Sequence, residues 1–451
     1  MKIVIVGGGT AGWLAALTIA KVQPNKHEIT LVESKKIGII GAGEGSTQLF
    51  YDYITNNWFN TGIDINEFIK ETNATPKIGI KHVNWKGDGK YYFAPLDGTP
   101  TSSMAPDILF CKQFLKDKDK VYLSSRLGQC YENKQINGWT SFHFDAFKVG
   151  EYISKIAINS GVKHIDDEVF GVITLEDKIT KLRCVSGQDI EGDFFIDCTG
   201  FKRSLCGSLD MTWKSYKKNL PVDSAIGFQL PLSDNYEPLT TATALSSGWA
   251  WKIPTTERFG CGYVYSSNFI TNEEAELEVY ENFGKDVKIL RKFNFESGRS
   301  EVLWKSNCLA LGLSAAFAEP LEATSIHTTI MQIMIFAMEN LRETREETCI
   351  DIKIKRYNEH MIKMYDDFRD FLIIHYMGGR QDSNFWKYMS SSCLTDKSKY
   401  ILELCETSVP SSLSIDHYFG CAGSMLYNWV LAGIDRITKN NVQRILETYN
   451  K

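Results

Sequence analysis

The chain has 451 residues, with 50 Lys and Arg against 55 Asp and Glu for a formal net charge of −5; 43% of residues are apolar, 12% aromatic and 23% charged. These proportions exclude disordered, collagen-like and low-complexity classes, and a slightly acidic chain carries no electrostatic footprint for nucleic acid or anionic lipid. The length predicts two or three domains with ample core. The eleven Cys are scattered without a C-x-x-C pair or zinc-type spacing, and the His residues are isolated from one another. No metal is expected, and free thiols fit a reducing cytoplasm. The stretch Met1–Ala20 has a single Lys and an early triple Gly, so it does not read as a signal peptide, and no apolar run is long enough for a transmembrane helix.

In chain order, Lys2–Val6 (KIVIV) reads as a buried parallel strand, and Gly7-Gly8-Gly9-Thr10-Ala11-Gly12 follows at once. Helix formers run from Trp13 to Val22, and Glu28–Glu33 (EITLVE) is a second strand, completing a β-turn-α-β unit. A Gly-rich stretch, 38–46, comes next; 52–72 looks mostly helical, and Lys77–Trp85 alternates like a strand that Tyr91–Ala94 pairs with. Trp139–Asp145 leads into a helix over Phe147–Asn159. Strands are expected over Val162–Leu175, Lys181–Asp197, Ala225–Leu230, Gly248–Ile253, Gly260–Ser266 and Cys308–Leu313. A turn at Glu319–Glu322 precedes a helix from about Thr324 to Leu341, and residues 350–451 read as mainly helical.

A lone G-x-G-x-x-G is a weak signal, but between a strand and a helix it has a mechanism. Gly7 permits the tight turn, Gly9 lets the backbone approach a pyrophosphate, and Gly12 lets helix and strand pack closely. The helix N-terminus adds unpaired N–H groups and partial positive charge for the phosphates. Glu33 stands about 20 residues on, where a carboxylate accepts ribose hydroxyls. The strand ending Phe195-Ile196-Asp197-Cys198-Thr199-Gly200 and the run Leu309–Phe317 resemble segments that return to the nucleotide and flavin ring in glutathione-reductase-like flavoproteins, which favours FAD over NAD.

Several segments together resemble the flavin-dependent halogenases of the tryptophan-halogenase type. They are Gly7–Ala16 (GGGTAGWLAA), Lys77–Trp85, the more specific W-x-W-x-I-P motif at Trp249–Pro254, Ser314–Ile326 (SAAFAEPLEATSI) and Asp366–Trp386. The C-terminal segment resembles the family only faintly, around Trp429–Gly433. The resemblance implies an α/β fold: a three-layer, glutathione-reductase-like FAD/NAD(P)-binding domain with a second, largely helical substrate domain. Residues 1–345 are expected to form the FAD-binding core with interleaved substrate-side segments, and 346–451 a mainly helical substrate-side region. It further implies FADH2, O2 and halide as cofactors and co-substrates. Hypohalous acid is formed away from the organic substrate, an electron-rich aromatic such as an indole or phenol. A flavin-dependent monooxygenase or epoxidase of the same fold is the alternative.

By resemblance, cofactor contacts fall to Gly7, Gly8, Gly9, Thr10, Ala11, Gly12, Glu33, Ser34, Ile37, Ile40, Ala42, Glu44, Gly45, Leu313 and Ile326. Lys77 holds and aims the oxidant, as hydrogen-bond donor or as haloamine, with Lys81 a rival on the same strand face about 13 Å away. Glu322 is the carboxylate that takes the ring proton, with Glu319 the alternative; either also suits helix capping. Thr324 and Ser325 offer free N–H groups to a halide at the start of a helix. Well-known family members carry Gly at the Ser325 position, so bromide or iodide competes with chloride as the halide. Trp249 and Trp251 line the substrate channel and keep substrate from the flavin. Trp139, Phe142 and His143 are core or substrate-cavity residues, and His327 packs or donates a hydrogen bond on the flavin-side helix. With no second G-x-G-x-x-G for NAD(P)H, a separate flavin reductase is the expected partner, alongside a small aromatic substrate and a homo-oligomeric state. The shorter, differently composed C-terminal region points away from free tryptophan and towards a looser pocket.

Overall fold

Lys2–Val6 (β1) buries four consecutive β-branched residues, as a strand covered on both faces must, and pairs in parallel with Glu28–Glu33 (β2) on one side and Phe194–Asp197 on the other. Lys163–Asp166 extends the sheet beyond β2; Cys308–Ala310 extends it beyond Phe194–Asp197, and Trp304–Lys305 closes that edge antiparallel. The helix Thr10–Val22 (α1) crosses between β1 and β2 and packs on the helices Ala146–Asn159 and Thr324–Ile335. This computed structural model describes residues 1–38, 45–55, 59–134, 140–285, 287–341, 349–415 and 422–449.

The chain divides into two units, each assembled from three separate stretches. The first comprises 1–74, 144–215 and 298–365. Besides the six-stranded sheet it holds the meander Val169–Leu175, Lys178–Cys184 and Asp189–Glu191, and a small sheet of Trp213–Ser215, Gly298–Ser300 and Ala316–Phe317. The side chain of Gln332 fastens helix Thr324–Ile335 to this unit by donating to Ala310 O and accepting from Tyr365 Oη.

The second unit comprises 75–143, 216–297 and 366–451. Its seven-stranded sheet runs in the order Lys288–Asn294, Ser224–Pro231, Arg258–Tyr265, Gly248–Pro254, Leu239–Ala244, Gly79–Val83, Tyr91–Pro95. Helix Asn272–Phe283, capped by the reciprocal Thr271–Glu274 box, lays Ala275 and Val279 on Ile226, Phe259, Tyr263 and Tyr265 of that sheet. The C-terminal stretch contributes the helices Asn384–Ser391, Asp396–Thr407, Ser424–Gly433 and Lys439–Tyr449. Among the described residues no helix is long and apolar enough to cross a membrane.

Four expectations are corrected. Lys181–Asp197 is not one strand: Lys178–Cys184 and Asp189–Glu191 belong to the meander and Phe194–Asp197 to the parallel sheet. Lys77–Trp85 is not one strand: Thr75–Pro76 pairs with Phe142–His143, while Gly79–Val83 joins the large sheet, because the chain changes partners at Lys77 (N–H to Ser141 O) and Ile78 (N–H to Pro238 O). Val162–Leu175 is two strands in two sheets, broken after Asp166. The helix from Thr324 is α-helical only to Ile335 and continues as a π-helix over Phe336–Leu341.

Arg380 shows how the second unit is tied internally. Its guanidinium, 7% exposed, pairs with Asp382, donates to the carbonyls of Asn84 and Ala244, and lies 4.8 Å from the Trp386 ring centroid. A lysine cannot reproduce the planar fork, so Arg380→Lys is expected to cost about 2 kcal/mol in urea unfolding.

Candidate functional site

In the first unit the parallel strands end on a common line, and the segments that follow them enclose a cleft of about 380 Å³. That is the place where open parallel sheets bind ligands. Gly7–Ala11 follows β1, Glu33–Gly38 ends β2, Asp167–Val169 follows Lys163–Asp166, Cys198–Lys202 follows Phe194–Asp197, and Gly312–Leu313 follows Cys308–Ala310. Backbone hydrogen bonds continue past the strand ends: Gly7 N to Val32 O, Cys198 N to Val6 O, Asp167 N to Glu33 O and Leu311 N to Asp197 O.

The glycines are required by close approach. A Cβ on Gly7, whose φ is +115°, would lie 2.1 Å from Cys198 O; one on Gly12 would lie 1.9 Å from Gly7 O; and one on Gly8 would lie 1.4 Å from a Glu33 carboxylate oxygen. Gly312, at φ +62°, similarly faces Ala11 across 2.7 Å. Gly9 caps α1 in extended conformation without a side-chain bond, leaving the first N–H groups of that helix turned to the cleft mouth. A bare backbone cradle at a helix N-terminus, a carboxylate on the adjacent strand end and a cleft of this size fit a dinucleotide cofactor.

Glu33 is held by His164, whose Nε2 lies 3.1 Å from its Oε1, and the His164 ring is tilted against Trp13 at 5.3 Å. Burial raises the Glu33 carboxyl above the usual carboxylate range, with His164 opposing. Asp197 is fully buried where its strand ends; it accepts from Thr199 N and Oγ1, Leu205 N, Cys206 N and Ser314 Oγ. Burial and the neighbouring Asp197 push the Cys198 thiol well above its ordinary value, so this cleft residue is an inert small group and not a thiolate.

Of the residues expected at the cofactor, Gly7, Gly8, Gly9, Thr10, Ala11, Glu33, Ser34, Ile37, Leu313 and Ile326 line this one cleft, together with Ser325. Gly12 lies behind it, against Gly7. Gly45 is buried and is not part of the lining. Ile40, Ala42 and Glu44 lie outside the described residues, as does Trp139. Thr324 is buried at the first turn of its helix, behind Ala323, whose left-handed φ of +53° turns the chain into the helix. Glu322 is half-buried in that turn and Glu319 is 1% exposed. His327 Nδ1 lies 2.9 Å from Thr47 Oγ1. Sequence reasoning missed Asp167–Val169, Phe201, Lys202, Gly312 and Thr329 in the lining. The first of these follow a parallel strand at its carboxyl end, a signal the strand prediction would have carried had Val162–Leu175 been divided.

In the second unit Lys77 is 1% exposed, fixed at its backbone by Ser141 O and by the Thr140 hydroxyl, which donates to Lys77 O. Lys81 is engaged elsewhere: its Nζ is 2.8 Å from Glu237 and 4.4 Å from the Tyr91 ring. Trp249 is buried and Trp251 half-buried on the same strand, their rings 6.2 Å apart; Trp251 lies over Gly262, where a Cβ would meet it at 2.1 Å. Trp249 also faces Trp85, which packs edge-on to Tyr376, Trp386 and His82. His82 stacks on Tyr92 at 4.6 Å; burial and the neighbouring His375 hold it well below the ordinary imidazole value, hence neutral. Phe142 and His143 are fully buried.

A parallel sheet with a glycine cradle at its strand ends defines a nucleotide-cofactor-binding α/β protein. The chain belongs to the tryptophan halogenase family, whose pattern matches residues 2–447. It is 31% identical to the tryptophan 6-halogenase SttH of Streptomyces toxytricini over 97% of this chain and 90% of that protein. It is also 31% identical to the tryptophan 7-halogenase RebH of Lentzea aerocolonigenes, over 93% of this chain and 85% of that one. Among solved structures it resembles the tryptophan halogenase of Shewanella frigidimarina with a TM-score of 0.87 at 27% identity, covering 100% of this chain and 93% of that one. The protein is therefore an enzyme, a flavin-dependent halogenase, and not a monooxygenase of the same fold.

A carboxylate is a stronger acceptor for ribose hydroxyls than the protonated acid, so with Glu33 as the expected ribose ligand FAD affinity is expected to fall as pH drops through that raised range. Fluorescence titration of FAD across pH checks this; Glu33→Gln should bind about tenfold more weakly at neutral pH and show a flatter profile.

Proposed function

We propose that the enzyme uses FADH2, O2 and a halide to halogenate an electron-rich arene, an indole or a phenol, with hypohalous acid as the diffusing oxidant. When bound, the flavin supplies the two electrons that activate oxygen. The cleft of the first unit holds it: Gly7–Gly12 and the α1 N-terminus take the pyrophosphate, Glu33 the ribose, and Leu313 and Ile326 the ring side. Ser34, Ile37, Ile40, Ala42 and Glu44 complete the set by family resemblance. The observation that carries the reading is the coexistence, in one chain of this family, of that cradle and Lys77, buried to 1% exposure in the segment that resembles the family's lysine strand.

Lys77 holds the hypohalous acid, by hydrogen bond or as a haloamine, and presents the halogen to the arene. The arene π-electrons attack halogen as its bond to oxygen, or to Nζ in the haloamine, breaks; the electron pair leaves on that atom, which takes up a proton to give water or the free amine, and the resulting ring cation loses its proton to the Glu322 carboxylate. Thr324 and Ser325 hold the halide through helix-start N–H groups. Ser325, where known members have glycine, lines the cleft itself and crowds the halide position, so bromide and iodide compete with chloride as the halide. Trp249 and Trp251 screen the substrate from the flavin. A separate reductase supplies the FADH2, and the chain works in a reducing cytoplasm.

The relatives named above act on tryptophan, so the panel that tests the reading includes tryptophan, indole and phenol. Each is incubated with FAD, a flavin reductase and NADH, with chloride, bromide and iodide separately, and products are read by mass. Halide-independent oxygenation of the arene would refute the assignment. Lys77→Ala is expected to lose halogenated product by at least about a thousandfold with FAD binding intact, and Glu322→Gln by about a hundredfold. Normal product from Lys77→Ala removes its role; full activity of Glu322→Gln removes that residue as the base.

A further inference from the structure

We propose that His164 is a positioning residue for Glu33, drawing one carboxyl oxygen to itself so that the other is left for the cofactor ribose; this rests on the ribose-ligand role proposed for Glu33. In the parallel ladder of β2 with Lys163–Asp166, Leu31 pairs with His164 and Glu33 with Asp166, so Glu33 and His164 are diagonal neighbours on one face. Their side chains meet: His164 Nε2 lies 3.1 Å from Glu33 Oε1, the two side chains being 22% and 19% exposed. The second oxygen, Oε2, stands 1.4 Å from where a Cβ on Gly8 would lie. Gly8 and Glu33 both line the cleft, whereas His164 is not part of the lining. One oxygen is thus held from behind, and the other sits at the glycine cradle.

The pull is that of charge. His164 Nε2 is shielded from water and makes no aligned hydrogen bond, so what acts across the 3.1 Å is the attraction of an imidazolium for a carboxylate, with little solvent to screen it. Trp13 of α1, its ring 5.3 Å from the imidazole, backs His164 without adding charge. Asp166, opposite Glu33 in register, is answered by Lys35, whose backbone N–H donates to its Oδ1 and whose Nζ lies 3.7 Å from its Oδ2. Asp167 turns its carboxylate to the N–H groups of Glu168 and Ser186. His164 is the cation in contact with Glu33.

The direction of the pH effect follows. Burial raises the Glu33 carboxyl above the usual carboxylate range, and the His164 charge opposes that rise. The ionised form is the stronger acceptor for ribose hydroxyls. FAD affinity therefore falls as pH drops through the Glu33 range, and without a cation at position 164 the fall begins at a higher pH. At alkaline pH an imidazole is neutral and the carboxyl is ionised in any case, so removing His164 changes little there.

His164→Gln keeps a polar side chain without the charge, and His164→Lys keeps the charge without the ring. FAD is titrated by fluorescence onto the cofactor-free enzyme between about pH 5.5 and pH 9, a range that brackets imidazole titration. Ionisation of Glu33 is followed in the same cofactor-free protein by carboxyl 13C NMR, with Glu33→Gln assigning the resonance. His164→Gln is expected to bind FAD about fivefold more weakly at the acid end and within about twofold of wild type at the alkaline end, its Glu33 midpoint raised by about half a pH unit or more. His164→Lys is expected to stay within about threefold of wild type throughout. A packing role against Trp13 would weaken both variants alike at every pH. Equal losses in the two variants, a loss in His164→Gln that does not vary with pH, or an unmoved Glu33 midpoint in that variant overturns the proposal. If His164→Gln does not fold, His164→Asn replaces it with the same expectations. Glu33→Gln, titrated alongside, tests the underlying role separately: wild-type FAD affinity in that variant removes Glu33 as the ribose ligand, while the Glu33 midpoint in the position-164 variants still reports on the contact itself.

Discussion

The carboxylate of Asp197 sits where strand Phe194–Asp197 runs out, with no exposure to water, and every element on that side of the cleft is fastened to it. Thr199 N–H and hydroxyl fold back onto one oxygen, shaping the turn that presents Thr199–Lys202 to the cofactor cleft; Ser314 shares that oxygen, tying in the segment that contributes Gly312 and Leu313. The other oxygen takes Leu205 N–H and Cys206 N–H from the first turn of helix Ser204–Ser208. A buried anion is tolerable only when its lone pairs are filled, and here each is filled by a group whose position the cleft needs. The opposite wall is built on the same logic with smaller parts. Gly7, Gly8 and Gly12 leave no room for a Cβ because Cys198, Glu33 and Gly7 itself already occupy the space. The cofactor cleft is thus a consequence of how the strand ends interlock.

This explains why the nucleotide half was legible in the sequence. A β-branched run, a glycine string and a second strand form a local pattern, and each glycine has a local steric reason. The partners that complete the cleft were less legible because they arrive from far along the chain. Asp167–Val169 follows a four-residue strand hidden inside what reads as one longer strand, and only the parallel pairing of Lys163–Asp166 with β2 reveals its end. Leu239–Ala244 and Lys288–Asn294 escaped notice for another reason: one is rich in Thr and Ala and the other in Lys and Arg, and they are strands because the neighbouring chain offers them a ladder. Lys77 is the sharpest case. Its surroundings read as a continuous strand, yet the backbone passes from one sheet to another at that residue.

The change of sheets at Lys77 has a chemical consequence. Had the strand run on unbroken, Lys77 and Lys81 would share a face and an environment, and nothing would distinguish two lysines four residues apart. With the break, Lys81 belongs to the large sheet, where Glu237 and the Tyr91 ring engage its charge at a partly wet position. Lys77 is left at the end of the short ladder, buried. An ammonium in contact with water has its charge screened. A buried ammonium acts through a stronger field, since little solvent screens its charge. That second environment suits the oxidant-aiming role proposed for Lys77.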